Sequence, residues 1–120
     1  MRFIGMVKST EHAGPPPKAL MDAMAQFCER SIKEGILIET VGLFPSAAGA
    51  RIRLAGGTLT VTDGPFVEAK ELVGGYAVLE VKSRTEALDQ TLRFMELHRE
   101  HWPGWEGETE IRQIFESSNH

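Results

Sequence analysis

The sequence predicts an α+β domain of the ferredoxin-like type, a βαββαβ-type sheet that carries one inserted hairpin. Three observations support this fold: two amphipathic helical segments, β-forming runs on either side of each segment, and a strongly alternating hairpin between the two halves. The chain has 120 residues, of which 42% are hydrophobic. That is enough for one domain to bury about two-thirds of its unfolded surface, so residues 1–120 are interpreted as a single domain.

The first half of the chain is predicted to form a strand, a helix and a second strand. The first strand covers Phe3–Val7, and a proline-rich loop leads into a helix over Lys18–Glu34, because proline is tolerated where a helix begins. Gly35 supplies a left-handed helix stop, and the second strand follows at Ile36–Val41. The apolar stripe of this helix is predicted from spacings of three and four residues: Met21, Met24, Phe27, Cys28 and Ile32.

The inserted hairpin is the clearest β signal in the sequence. Polar and apolar residues alternate over Arg51–Ala55 and Thr58–Thr62, with a Gly56-Gly57 turn between them. One face of this hairpin is expected to be buried and the other to face water. The turn fixes the cross-strand pairs of the apolar face: Leu54 with Leu59, and Ile52 with Val61.

The second half of the chain repeats the strand–helix–strand order. Gly75–Val81 is predicted to be an interior strand, because its apolar residues occupy both faces. Ser83-x-x-Glu86 forms a capping box that begins a helix over Arg84–His101, and Thr109–Phe115 is the last strand. The core stripe of this helix is predicted to contain Leu88, Leu92 and Met95.

Both helices are expected on one face of the sheet, which leaves the opposite face without cover. An open sheet with an apolar face is commonly covered by a second copy of the chain. We therefore predict a homodimer whose two sheets pack into a dimeric α+β barrel.

Composition and charge indicate which classes of partner and which cell compartment to expect. The formal net charge is −4 with both signs interspersed, which argues against direct nucleic-acid binding. No apolar run is long enough to span a membrane, and the N-terminus lacks a signal-peptide pattern, so no membrane partner is expected. The lone Cys28 is interpreted as a small core residue rather than a nucleophile, and an unpaired thiol favours a reducing cytoplasm.

The segment Asp63-Gly64-Pro65-Phe66 combines a turn with a charged cluster, since Glu68, Lys70 and Glu71 follow, and then Gly74-Gly75-Tyr76. This block resembles the DGPF-domain subgroup of the YciI-like (YCII-related) proteins, small bacterial domains of the dimeric α+β barrel type. The resemblance is strongest from Arg51 to Val81. It implies the same fold and the same dimer, whereas most members of the family have no assigned reaction.

The turn offers the first candidate site residues. Asp63 is held on a stiff segment, where it is expected to serve as a general base or to bind a ligand; the alternative is an Asx-turn carboxylate with a structural role. Phe66 either forms a wall of the pocket or anchors the turn. Glu68, Lys70 and Glu71 are candidate ligand or dimer contacts, and the alternative is a solvated surface.

Histidine, tyrosine and arginine side chains complete the candidate set. His98 is predicted to act as an acid or base, and His12 follows the first strand in a loop that borders a pocket. Tyr76 and Arg53 are predicted to orient a ligand. The pair His98 and His101 shares a helical face, but two ligands do not complete a metal site, so no metal is predicted.

These residues favour an enzyme that transfers a proton on a small organic molecule in a pocket near the Asp63 turn. The alternatives are a non-catalytic small-molecule-binding or regulatory module and a purely structural dimer. The resemblance adds an association with sigma factors to the regulatory alternative. No glycine pair opens a helix directly after a strand, so no nucleotide cofactor is predicted.

Overall fold

The computed structural model describes residues 1–116, except for the side chain of His12. It contains six strands and two α-helices in the predicted order. Their bounds are β1 Arg2–Ser9, α1 Lys18–Lys33, β2 Leu37–Gly42, β3 Ala50–Ala55, β4 Thr58–Asp63, β5 Leu72–Glu80, α2 Arg84–His101 and β6 Gly107–Gln113. Two short 3-10 turns, Glu11–Ala13 and Ser46–Ala48, lie in the loops after β1 and β2.

Four strands form the main sheet, in the order β2-β5-β1-β6, and every neighbouring pair is antiparallel. The two remaining strands, β3 and β4, pair only with each other. This mixed α+β arrangement is compatible with the predicted ferredoxin-like fold and its inserted hairpin.

Local sequence signals explain where both helices begin or end. Gly35 follows α1 with φ +75°, the left-handed conformation that glycine adopts without strain. At the start of α2, the Ser83 hydroxyl accepts a hydrogen bond from the Glu86 backbone N–H at 3.1 Å. The Glu86 carboxylate accepts one from the Lys82 N–H at 3.1 Å, so the reciprocal bond of the predicted capping box lies one residue before the N-cap.

The packed hydrophobic core lies at one end of the helix–sheet interface. It is formed by a cluster of side chains that are all at most 7% exposed: Phe3, Leu37, Leu79, Val81 and Ala87. Leu20 of α1 is also fully buried. These side chains join β1, β2, β5 and both helices, so this end holds the layers together.

The predicted core stripes of the two helices are wrong in part. Leu92 is 61% exposed and Ile32 is 58% exposed. The buried positions include polar residues instead, Ser31 on α1 and Gln90 and His98 on α2. The other predicted residues of α1 border the cavity, so it is α2 that is rotated relative to the prediction. Its buried polar side chains are tolerated because they have hydrogen-bond partners.

The hairpin has the predicted register, but its predicted burial is wrong. Leu54 pairs with Leu59 and Ile52 with Val61. All four side chains are 65–71% exposed, so neither face is covered by the chain itself. The radius of gyration is 16.3 Å, compared with about 14 Å for a compact chain of this length. The hairpin therefore projects from the rest of the domain.

The sheet face opposite the helices is partly exposed. The alternation of β1 and β5 places two apolar cross-strand pairs there, Ile4 with Val78 and Met6 with Tyr76. Ion pairs lie at both ends of this face, Arg2 with Glu80 at 3.1 Å and Lys8 with Glu110 at 2.5 Å. The cover predicted for this face, a second copy of the chain, stays a prediction.

Candidate functional site

A cavity of about 900 Å³ lies between the helices and the sheet, beyond the packed core. Side chains of α1 and α2 form two of its walls, the strands of the main sheet form its floor, and the loops after β1 and β2 form its mouth. Residues from each of these parts line it, among them Met24, Cys28, Gln90, Phe94, His98 and Phe44. The volume falls within the range of small-molecule pockets, about 300–1,000 Å³.

Small side chains on the sheet create this space. Three successive cross-strand pairs face the helices, Phe3–Leu79, Gly5–Ala77 and Val7–Gly75. The side chains of the first pair fill the core, whereas those of the next two pairs are too small to reach the helices. A Cβ at Gly75 would lie 2.7 Å from the Val41 carbonyl oxygen, so the neighbouring strand requires glycine there.

A row of aromatic rings forms one wall of the cavity. Phe94 lies between Phe27 and His98, with centroid separations of 6.4 Å and 4.8 Å. The His98 ring continues to Trp105 at 4.7 Å, and Trp105 stacks on Trp102 at 5.9 Å. These separations are those of favourable aromatic pairs. The rings are tilted against each other by 24–63°, and the row gives the cavity an aromatic wall.

His98 is the titratable group of this wall. The residue is 6% exposed, and its Nδ1 lies 3.1 Å from the Phe94 carbonyl oxygen. A carbonyl oxygen only accepts, so Nδ1 donates and carries the proton, and Nε2 keeps its lone pair. Burial lowers the pKa of His98, and the bond to the Phe94 carbonyl opposes this shift only in part.

The Nε2 atom of His98 is not fully buried. Among the described residues, every fully buried side-chain nitrogen or oxygen has a hydrogen-bond partner. Within the same residues Nε2 has no partner, so it is not fully buried. His98 also borders a smaller groove beside Trp102 and Gly104, which adjoins the cavity. A neutral, accessible imidazole nitrogen is suited to accept a proton.

A second polar contact joins the two helices behind the cavity. The Gln90 side-chain N–H donates to the Ser31 hydroxyl at 2.7 Å, and that hydroxyl donates to the Phe27 carbonyl at 2.8 Å. Because the hydroxyl hydrogen is used for the carbonyl, Ser31 must accept from Gln90, which fixes the orientation of the amide. Cys28 lies half-buried beside this contact, and burial raises the pKa of its thiol.

The Asp63-Gly64-Pro65-Phe66 turn closes the base of the hairpin. The Gly64 N–H donates to the Gly49 carbonyl at 2.9 Å, and the Phe66 N–H donates to the Ser46 hydroxyl at 3.0 Å. The Gly64–Pro65 peptide bond is cis. A Cβ at Gly64 would lie 1.7 Å from the Ser46 carbonyl oxygen, so only glycine fits this turn. Asp63 ends β4 and is exposed.

The charged cluster after the turn folds back onto the hairpin. The Arg51 guanidinium lies 3.8 Å above the centroid of the Phe66 ring, a cation–π contact, and also pairs with Glu68. A hydrogen bond from its own backbone N–H and the bond from Arg51 lower the pKa of the Glu68 carboxyl. Lys70 and Glu71 are exposed in the segment that leads to β5. These contacts brace the hairpin base.

The predicted site residues fall into two groups. His98 and Tyr76 border the cavity. The register of Tyr76 with Met6 directs its side chain to the opposite sheet face, so its backbone is the part that borders the cavity. The other predicted residues lie at the hairpin or its base, outside the cavity lining: Asp63, Arg53, Phe66, Glu68, Lys70 and Glu71. The side chain of His12 lies outside the described part of the structure.

Two findings concern metals and membranes. His101 is partly exposed, with its Nε2 3.9 Å from Glu100. Among the described side chains, no three of His, Cys, Asp or Glu come close enough together to hold a metal ion. None of the described helices is both long and apolar enough to cross a membrane.

The predicted apolar stripe of α1, apart from Ile32, borders the cavity, whereas the part of the wall from α2, except His98, was not predicted. Gln90, Phe94 and His98 recur every four residues along α2, a regular helical stripe, but two of the three are polar. Searching for leucine and methionine alone therefore selected another face of the helix. Trp105, just after α2, was interpreted from the sequence only as part of the segment that ends the helix.

Comparison with known proteins identifies the family. A sequence profile of the YCII-related domain matches residues 1–96. The chain belongs to the YCII-related family. A relative, an uncharacterized protein of Rhizobium meliloti (strain 1021), is 38% identical over 58 residues, which cover 48% of this chain and 47% of the relative. The match spans about half of the relative's length, and membership of the DGPF subgroup stays a prediction.

Proposed function

We propose that this YCII-related domain binds a small, mostly apolar organic molecule in its cavity and that His98 transfers a proton on that molecule as a general base. The supporting observation is a histidine in the wall of a cavity of about 900 Å³ whose Nε2 has no partner among the described residues and is not fully buried. Such a pocket, apolar with few polar groups, is the usual form of a small-molecule site.

The chemistry follows from the contacts of His98. Because burial lowers the pKa of this histidine, the imidazole is neutral near pH 7 and Nε2 is free to accept a proton. When Nε2 accepts it, the ring becomes cationic, and the hydrogen bond from Nδ1 to the Phe94 carbonyl stabilises that charge. Positioned bases of this kind accelerate reactions about 10²- to 10⁴-fold.

Proton transfer at His98 is tested by deuterium exchange. A library of neutral organic compounds is screened for those that raise the melting temperature, and the binders are followed by proton NMR in D₂O. We expect the protein to exchange a carbon-bound acidic proton of at least one binder. His98→Asn should bind but not exchange, because the amide nitrogen replaces Nδ1 as donor to Phe94 while nothing replaces Nε2.

Asp63→Asn serves as the matched variant for the second predicted base. The substitution removes a carboxylate that is exposed at the end of β4 and changes little else. Loss of exchange in this variant with unchanged binding supports the predicted role of Asp63. Full exchange by His98→Asn would overturn the proposed role of His98.

A second candidate function is a non-catalytic binding or regulatory module, including one that acts with a sigma factor. The observation in its favour is that Nδ1 of His98 bonds a backbone carbonyl rather than a carboxylate, which leaves the base without an acidic partner. Binding without exchange for every compound supports this module over the enzyme.

We also propose that the domain functions as a homodimer. The exposed apolar face of the hairpin and the partly exposed sheet face support this, since full burial contributes about 1.5–3 kcal/mol per large aliphatic side chain. The test is sedimentation equilibrium of the protein and of the double variant Ile52→Glu with Leu59→Glu. Thr60→Glu, on the polar hairpin face, is the control. A monomeric unaltered protein would contradict the proposal.

A further inference from the structure

Three of the hydroxyl groups around the cavity direct their hydrogens to the backbone. Ser31, Thr40 and Thr91 each donate to a backbone carbonyl, at 2.8, 3.2 and 2.9 Å. Each hydroxyl has a single hydrogen, so what remains for a ligand is its oxygen lone pairs. These three side chains therefore offer acceptors and no donors.

Two stronger acceptors lie on α2. The Gln90 side-chain nitrogen is bonded to Ser31, and its oxygen, like Nε2 of His98, has no partner among the described residues and is not fully buried. Gln90 and His98 are eight residues apart, about 12 Å along the helix axis. Phe94 lies midway between them on the same stripe. This wall thus presents an aromatic ring with an acceptor on either side.

The cavity holds almost no charge. In the described lining there is no lysine, arginine or aspartate, and the acidic residue at the mouth, Glu11, is bonded to the Ser46 hydroxyl at 2.8 Å. An anion would lose its hydration here without gaining a cationic partner, and burial of an unpaired charge is strongly unfavourable. A neutral molecule carries no such penalty.

We propose that the cavity selects flat, uncharged aromatic molecules that carry hydroxyl or amine hydrogen-bond donors. The aromatic row of Phe94 and Trp105 stacks with the ring system, and the Gln90 oxygen and His98 Nε2 accept from its donors. This inference rests on the proposed binding function of the cavity and assigns its ligand class.

The chain contains two tryptophans, and both border the cavity. Their two indole N–H signals in a ¹⁵N–¹H NMR spectrum therefore report on this wall. The protein is titrated at pH 7 with four probes of similar size: 2-naphthol, 2-methoxynaphthalene, decahydro-2-naphthol and 2-naphthoate. The second lacks the donor, the third lacks the aromatic rings, and the fourth is an anion.

We expect 2-naphthol to shift both indole signals and to bind about tenfold more tightly than either 2-methoxynaphthalene or decahydro-2-naphthol, with no binding of 2-naphthoate. Equal or tighter binding of any of these three probes overturns the ligand class and leaves binding in the cavity standing. If no probe shifts either signal, the ligand class and the proposed binding site both fail.

Two variants of α2 separate stacking from general burial. Phe94→Leu keeps an apolar side chain but removes the ring, so 2-naphthol should bind about tenfold more weakly while decahydro-2-naphthol is unaffected. Leu92→Ala, on the exposed side of the same helix, should change neither affinity. Equal weakening of both probes by Phe94→Leu would overturn the stacking contact. The four-probe series decides the ligand class even if Phe94→Leu fails to fold.

Discussion

The two ends of the helix–sheet interface use the same strands but contain different volumes of side chain. At the packed end Phe3 lies opposite Leu79, and both are 4% exposed. Two cross-strand pairs further along, Val7 lies opposite Gly75 and the space above them is the cavity. The size of a few strand residues, rather than the fold, therefore decides where this domain is packed and where it holds a cavity.

The two ends of the interface also have different roles. The packed end supplies the buried apolar contacts that hold helices and sheet together. The hollow end gives up such contacts, which lowers stability, and in exchange exposes His98 and the aromatic row to a ligand. Substitutions at matched positions should therefore have opposite effects at the two ends.

The largest expected effect is loss of stability at the packed end. Phe3→Ala should lower the free energy of unfolding by about 3–5 kcal/mol, because it leaves a cavity in a close-packed cluster. Met24→Ala, in the wall of the existing cavity, should cost well under half as much. Urea denaturation measures both. Equal losses would show that the two ends do not differ in packing.

Replacing an alanine with leucine should also affect stability differently at the two ends. Ala87 is fully buried at the packed end, so Ala87→Leu should lower stability by about 1–3 kcal/mol through overpacking. Ala77 borders the cavity, so Ala77→Leu should cost less than about 1 kcal/mol and displace ligand from the hollow end. Denaturation and the 2-naphthol titration measure the two effects. A severe loss of stability in Ala77→Leu would contradict the hollow end.

The pH dependence of stability should reveal the buried imidazole. Burial lowers the pKa of folded His98 below the value of about 6.5 in the unfolded chain. As pH falls below about 6.5, the unfolded chain takes up the proton first, so the free energy of unfolding decreases until folded His98 also titrates. Above pH 6.5 both states are neutral and the effect is absent.

His98→Asn is the control for this pH dependence. The variant lacks the titrating ring, so its stability should fall less steeply than that of the unaltered protein as pH decreases from about 7.5 to 5.5. The difference between the two urea-derived curves isolates His98 from the other histidines. Parallel curves would contradict a lowered pKa at this position.

The smallest expected effect lies on the outer side of α2. Leu92 is 61% exposed, so Leu92→Gln should change the free energy of unfolding by less than about 0.5 kcal/mol. Two residues earlier, Gln90→Leu removes the donor to buried Ser31 and should cost about 1 kcal/mol or more. A larger loss of stability in Leu92→Gln than in Gln90→Leu would support the core stripe that was predicted from the sequence.

Features set by local chemistry were predictable from the sequence. The element order, the capping box at Ser83 and Glu86, and the left-handed Gly35 depend on residues close together in the chain. The hairpin register likewise follows from its two-residue glycine turn. His98 was among the candidate residues because an ionisable ring on a helix is visible in the sequence, and its role as an acid or base stays a prediction.

Features set by tertiary packing were not predictable in the same way. The exposure of Leu92 and the burial of Gln90 depend on how α2 is rotated against the sheet. The cavity depends on which residues of β1 and β5 face each other. The roles of Gly5 and Gly75 in forming it can therefore be recognised only when the pairing of the two strands is known. The hairpin face was misjudged because alternation predicts an apolar face but not what covers it.

The protonation state of His98 shows whether the hollow end holds a neutral base that a ligand can reach. A long-range ¹⁵N–¹H NMR spectrum of the histidine side chains at pH 7 distinguishes the two neutral tautomers from the cation. We expect a neutral ring with the proton on Nδ1, and an Nε2 resonance that moves when 2-naphthol is added. A cationic ring, a proton on Nε2, or an Nε2 resonance that does not respond to a bound probe would contradict the account.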